Sequence, residues 1–227
     1  MSTPDWIAAH EPRTTRSRSV EVHEEQRFPS GVFRSPPPAF LPVDPARSDR
    51  TQEFSAMTRF TVLVAAPQSH SSVHTAALRA AAEVATRAGV TSTPEIIDLA
   101  ALGQDLLAES ADSVTEALEQ VRRSDVLLVA SPQVHGTYTG LLKVFLDRLP
   151  ELGLGHTVAV PLAVVDDLRN SHGIEEDLRI LLADLGAWVA EPGLILASDE
   201  THSPESVVRA WADVAAPGLR QAVSVAA

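Results

Sequence analysis

The sequence predicts an α/β domain of three layers, with helices on both faces of a five-stranded parallel sheet in the order 2-1-3-4-5. Three observations carry this. Apolar runs of strand length recur between Phe60 and Ala197, and several are rich in β-branched residues. The segments between them repeat apolar residues every three or four positions, as amphipathic helices do. The stretch Ser124–Pro150 shows the unit most clearly. Val126-Leu127-Leu128-Val129-Ala130 is apolar at every position, as expected of a strand buried on both faces. Pro132 and Gly136 interrupt the run, and Thr137 or Thr139 can cap the helix beyond them. Leu141, Leu142, Phe145, Leu146 and Leu149 then share a helical face before Pro150. Strand, polar loop and helix in that order set a ligand crevice at the carboxyl end of the sheet.

The other elements rest on the same signals. The first strand is Phe60–Ala66, followed by the loop Pro67–Ser72. A helix then turns Ala77, Leu78, Ala81, Val84, Ala85 and Ala88 inward, with Gly89 as its stop. Pro94–Leu99 reads as the second strand. Ser113-Val114-Thr115-Glu116 has the capping-box pattern and opens a helix with Val114, Ala117, Leu118 and Val121 inward. His156–Val165 is the fourth strand, followed by a helix with Ile174, Leu178, Leu181, Leu182 and Leu185 inward and Gly186 behind it. Trp188–Ala197 contains the fifth strand. Ser203-Pro204-Glu205 starts a last helix whose buried stripe is Val207, Val208, Trp211, Val214 and Ala215. Residues 58–227 thus form one predicted domain.

Composition narrows the function. Aromatic residues make up 4% of the 227 residues, so the core must be built from Ala, Val and Leu. There is no cysteine, hence no disulfide and no thiolate ligand or nucleophile, which suits a cytoplasmic protein. No apolar run is long enough to span a bilayer, and the N-terminus lacks the layout of a secretory signal. Of the net charge of −12, residues 1–57 carry −1, from seven Arg and eight Asp or Glu. The remainder sets eleven Lys or Arg against twenty-two Asp or Glu. An acidic domain repels nucleic acid and anionic lipid, so neither is expected as a partner. A phosphate site on it must be local, made of backbone N–H groups and hydroxyls. Residues 1–57 hold eight of the sixteen prolines and no sustained apolar period, which predicts a disordered N-terminal extension. Met57, immediately before the first strand, is an alternative natural start. Phe28, Phe33 and Phe40 around Pro36-Pro37-Pro38 would instead serve a partner-binding arm.

Ser131-Pro132-Gln133-Val134-His135, followed by Gly136-Thr137-Tyr138-Thr139-Gly140-Leu141-Leu142-Lys143, resembles a segment of the NADPH-dependent FMN reductases. In that family a strand leads to Thr-Pro-Val-Tyr-Arg/Lys and then Ser-Tyr-Ser-Gly-Ala-Leu-Lys. The spacing on to Leu146-Asp147 and Leu149-Pro150 is kept, and motif order extends the likeness over about the last three quarters of the chain. The resemblance implies a flavodoxin-like fold and an NAD(P)H-dependent FMN reductase with FMN and NADPH as cofactors. Hydride would pass from nicotinamide to flavin and on to an acceptor. It also implies a homodimer or tetramer, paired through the helix after strand 3, and a flavin-dependent monooxygenase as candidate partner. That chemistry needs no obligatory side-chain acid or base, so no catalytic residue is assigned.

The resemblance puts the flavin between three loops. Loop one offers Gln68, Ser69, Ser71, Ser72 and Thr75 to the phosphate, at a helix N-terminus that favours anions. The family's Gly-Ser-x-Arg falls here on Ala65, Ala66, Pro67 and Gln68, so a hydroxyl and an arginine are missing. Loop three offers Pro132, Gln133, Val134 and His135 along the ring, with Val134 and His135 in place of an aromatic and a basic residue. Loop four offers Val165 and Asp166. There the family's Thr-Gly-Gly-Thr is replaced by Val164-Val165-Asp166-Asp167, which resists positive φ and adds two carboxylates beside a cofactor that gains negative charge on reduction. These departures sustain an alternative: a non-catalytic flavodoxin-like binding or assembly protein that has lost flavin. His70, His74, His135, Asp166, Asp167 and His172 occupy the same loops, but their spacings match no metal motif, and no metal is assigned. No Gly-x-Ser-x-Gly elbow marks a serine hydrolase.

Overall fold

The computed structural model describes residues 58–226, and the expected N-terminal extension lies outside the described residues. The elements in chain order are β1 (Phe60–Val64), α1 (Ser72–Ala88), β2 (Glu95–Asp98), α2 (Leu99–Leu102), α3 (Asp112–Arg122), β3 (Val126–Pro132), α4 (Gly140–Leu146), β4 (Val158–Val165), α5 (His172–Asp184), β5 (Trp188–Val189), β6 (Leu194–Ala197) and α6 (Glu205–Ala226). Short 3-10 turns at Gly103–Leu107, Leu168–Asn170 and Ser198–His202 join some of them.

All strand pairs are parallel and the order is β2-β1-β3-β4-β5, as expected. The fifth position holds two short strands instead of one. β5 pairs with Val158 and Ala159, and β6 pairs with Leu162–Val165. The break falls at Glu191-Pro192-Gly193, where proline has no N–H to give a ladder. Side chains from the two helical layers hold the detour. Trp211 Nε1 donates to the Pro192 carbonyl at 2.7 Å, and Glu175 Oε1 accepts from the Gly193 N–H at 3.0 Å.

Strand alternation divides the core into two apolar clusters, one on each side of the sheet. Val62 and Val64 of β1, with Val126, Leu128 and Ala130 of β3, face α1 and α6. Leu63, Leu127 and Val129 face α3, α4 and α5. Both faces are covered, which is why these strands read as unbroken apolar runs.

Two helix faces differ from expectation. α1 buries Val73, Ala76, Ala77, Ala80, Ala81, Val84 and Ala88, while Leu78 is 37% exposed. α6 buries Val208, Trp211, Ala212, Ala215 and Leu219, while Val214 is 66% exposed. Gly89 ends α1 with φ 75°, in the left-handed region that favours glycine. The expected capping box does not form. α3 begins at Asp112, and Ser113 Oγ donates instead to Asp105 Oδ2 at 2.8 Å. Among the described residues no helix is long and apolar enough to cross a membrane.

Candidate functional site

The loops after β1, β3, β4 and β6 are stitched together at the carboxyl end of the sheet. Loop one runs from Ala65 to the start of α1. Ser71 is the N-cap of α1, and its Oγ accepts from the His74 N–H at 3.3 Å. The cap leaves the N–H groups of Ser72 and Val73, and the hydroxyls of Ser69, Ser72 and Thr75, without an acceptor or donor among the described residues. The first turn of α1 carries no acidic residue. His70 adopts φ 56°, which bends the chain into the helix. Gln68, Ser69, Ser72 and Thr75 are exposed at this rim.

Thr139 ties loop one to loop three. It is 3% exposed, donates Oγ1–H to the Ala65 carbonyl at 2.8 Å, and caps α4 by accepting from the Leu142 N–H at 3.4 Å. Its own N–H donates to Ser131 Oγ at 3.1 Å. Between them, Val134-His135-Gly136-Thr137 closes on itself, with Val134 N donating to Thr137 O at 2.8 Å and Thr137 N to Val134 O at 3.2 Å. His135 at φ 51° and Gly136 at φ 92° give this turn the mirror-image geometry that suits glycine at its second corner. Val134 and His135 are left exposed at the tip.

Loop four is ordered by its neighbours. The Gln133 N–H donates to the Val164 carbonyl at 2.7 Å, and Gln133 Nε2 reaches Asn170 O at 3.0 Å and Gly136 O at 3.3 Å. Val165 ends β4, is 1% exposed and packs into the α3–α5 cluster. Its carbonyl accepts from Ser198 Oγ at 3.2 Å. Asp166 is exposed and accepts from Ser198 Oγ at 2.8 Å. Asp167 caps the 3-10 turn, accepting from the Arg169 N–H at 2.9 Å. None of Val164–Asp167 has positive φ.

The structure therefore gathers the loop-one and loop-three residues on one rim, with Asp166 beside them and Val165 beneath in the core. Gln133 acts as a brace between loops three and four. Sequence reasoning missed Ser198 and Asn170, whose partners lie more than thirty residues away and leave no local pattern. It also missed Asp98, which ends β2 opposite Val64 and approaches His74. Among the described residues no group of three or more His, Cys, Asp or Glu could hold a metal ion. Two open grooves lie elsewhere, one beside α5 and Glu191–Gly193, the other near Gly155–Val158; neither is lined by loop one or loop three.

The donor set fits the anionic end of FMN. Loop one supplies orphan N–H groups at the start of a 17-residue helix and free hydroxyls; the helix's own first turn has no carboxylate, and the Asp98 carboxylate is turned to His74 Nδ1 at 3.5 Å. Loop three presents backbone and turn groups, and loop four presents the exposed carboxylates of Asp166 and Asp167.

A doubly wound parallel sheet in the order β2-β1-β3-β4-β5 defines the flavodoxin-like class of α/β folds. The model of the family described as NADPH-dependent FMN reductase matches residues 58–202, and this chain belongs to that family. It is similar to the FMN reductase (NADPH) of Pseudomonas putida, with 29% identity over 114 residues, 47% of this chain and 58% of that protein. Identity to the FMN reductase (NADPH) of Escherichia coli K12 is 35% over 86 residues, 37% of this chain and 45% of that protein. The chain thus spans about half the length of these curated relatives. Its fold is similar to the crystal structure of an NADH:FMN oxidoreductase in apo form, with TM-score 0.64 and 26% identity over 72% of this chain and 89% of that one.

Proposed function

We propose that this chain is an NAD(P)H-dependent flavin reductase that takes FMN at the loop-one and loop-three rim, NADPH as reductant, and a further acceptor for the hydride. The observation that carries this is the unpartnered donor set of Ser69, Ser72, Val73 and Thr75 in a member of the FMN reductase family. When bound, FMN supplies the redox chemistry, and the chain contributes binding and orientation. Ser69, Ser72 and Thr75, with the first N–H groups of α1, hold the phosphate. Ser71 keeps its lone pair for the cap and has its O–H to offer. Pro132–His135 border the ring, and Gln133 keeps that border fixed against Asn170. Titrating the apo-protein into FMN and following fluorescence quenching tests this directly. Saturable one-to-one quenching is expected. A flat titration favours the alternative, a flavin-free binding or assembly protein, for which the Asp166-Asp167 pair is the specific observation.

The same reading includes a homodimer or tetramer, a flavin-dependent monooxygenase as partner, and a cytoplasmic location. α4 supports pairing only weakly. Leu142, Phe145, Leu146 and Leu149 are buried in the core, which leaves Leu141 half-buried and Val144 37% exposed beside the Lys143–Asp147 ion pair. Asp147, by accepting the Lys143 hydrogen bond, holds that ammonium above the usual lysine pKa. Sedimentation at micromolar concentration is expected to give a species larger than the monomer; a monomer alone refutes the pairing.

A further inference from the structure

Gly173 is the second residue of α5, and its own conformation gives no reason for a glycine. It lies in a regular helix without positive φ, where alanine is the better helix former. The reason lies outside the helix. A Cβ at this position would stand 3.0 Å from the carbonyl oxygen of Gly136, and the facing atom is backbone rather than the far end of a flexible side chain. A bare Cα is what lets the loop-three turn come this near to α5. Gly136 is a different case: at φ 92° it has nothing within 4 Å of an added Cβ, so its glycine serves the turn itself.

Two further features hold the turn in that place. Gln133 Nε2 donates to the Gly136 carbonyl at 3.3 Å and to the Asn170 carbonyl at 3.0 Å, which ties the turn to the residues leading into α5. Ser171, the N-cap of α5, makes no side-chain cap, and its Oγ donates to the Leu168 carbonyl at 2.8 Å. The first N–H groups of α5 are thus not taken up by the cap residue, and their partial positive charge favours a carbonyl oxygen set against them.

We propose that Gly173 is a positioning residue for the reductase: by admitting the Gly136 carbonyl against α5, where the Gln133 amide holds it, it sets the height of the loop-three turn. This rests on the flavin reading above, in which loop three borders the ring, and adds to it a residue that touches no ligand. In Gly173→Ala the carbonyl must give by a few tenths of an ångström, and Val134 and His135 at the tip of the turn move with it. The fold has less reason to suffer, since alanine favours the helix. The loss therefore falls on the ring end of the site, and FMN shares it with riboflavin, which lacks the phosphate.

The test is flavin fluorescence quenching by the wild type, Gly173→Ala, Gln133→Leu and the double variant, with urea unfolding of each. Gly173→Ala is expected to bind FMN and riboflavin more weakly by the same factor, roughly fivefold, with an unfolding midpoint no lower than wild type. In the Gln133→Leu background the same alanine is expected to cost less than about twofold, because the turn is no longer held against α5. Affinities of Gly173→Ala within about twofold of wild type overturn the proposal even if the midpoint falls, since the glycine then serves the fold alone. A loss for FMN that riboflavin does not share overturns it too, as do losses that simply multiply in the double variant. If the wild type quenches neither flavin, the flavin reading fails by itself, and amide NMR of the ligand-free protein decides the positioning role. Shifts at Gly136 and Thr137 in Gly173→Ala that vanish in the Gln133→Leu background uphold it, and shifts confined to α5 overturn it.

Discussion

Replacing Thr139 by valine is expected to lower the unfolding free energy by about 2–4 kcal/mol, although the two side chains have nearly the same shape. The hydroxyl belongs to a residue only 3% exposed and serves two buried partners, the Ala65 carbonyl and the Leu142 N–H. Valine leaves both without it, which combines the loss of an N-cap with an unsatisfied buried acceptor. For a domain of this size that corresponds to a drop in Tm of roughly 5–15 °C. Serine keeps the oxygen and should restore most of the loss. Chemical denaturation of the three proteins checks this, and a valine variant within about 0.5 kcal/mol of wild type would show that the tie between β1 and α4 is dispensable. Flavin affinity should also fall in the valine variant, because Thr139 sets loop three against loop one.

The second large effect belongs to loop four. Removing the carboxylates with Asp166→Gly and Asp167→Gly together should tighten FMN binding by roughly tenfold, because two acceptor-only side chains facing the ring's own acceptors give way to glycines that let backbone donors approach. Arg169 does little to neutralise the pair, since its side chain is 91% exposed and its Nε lies 4.0 Å from Asp167 Oδ1. The phosphate-loop pair Ala66→Ser with Gln68→Arg should gain less, because Ser69, Ser72 and Thr75 already offer donors there. Val165 is unsuited to glycine, as its side chain is part of the core. Asp166→Asn with Asp167→Asn separates charge from backbone freedom, since asparagine retains the Ser198 and Arg169 hydrogen bonds. Fluorescence titration of the three double variants ranks them. A larger gain from the phosphate-loop pair would put the weakness of the site at the phosphate end.

The sheet is legible because each central strand is buried on both faces and therefore written in consecutive apolar residues. Where the sequence misleads, a competing interaction or a blurred pattern is responsible. α1 is so rich in alanine that its apolar period is smeared, and Leu78 reads as inward for its size although the smaller Ala76 and Ala80 fill that face. Ser113 looks like a cap, but Asp105 from the preceding turn takes its hydroxyl. The fifth strand is expected somewhere within Trp188–Ala197, and Pro192 divides it. At the site, Ser71 and Thr139 are readable because caps are local to the helices they start. The carboxyl end of β4 is readable as well: the expected fourth strand ends at Val165, where pairing with Ala197 holds it. Ser198, Asn170 and Asp98 give no local sign of their roles, since their contacts exist only once the sheet order has brought distant loops together.

Whether this chain is a working flavin reductase of its family is tested most directly by anaerobic addition of NADPH to FMN in the presence of a small fraction of the protein. The absorbance of oxidised flavin is the readout. Bleaching of the whole flavin pool at a rate proportional to protein concentration is the predicted result. Flavin that stays oxidised with both NADPH and NADH, at protein concentrations that saturate binding, would contradict the assignment.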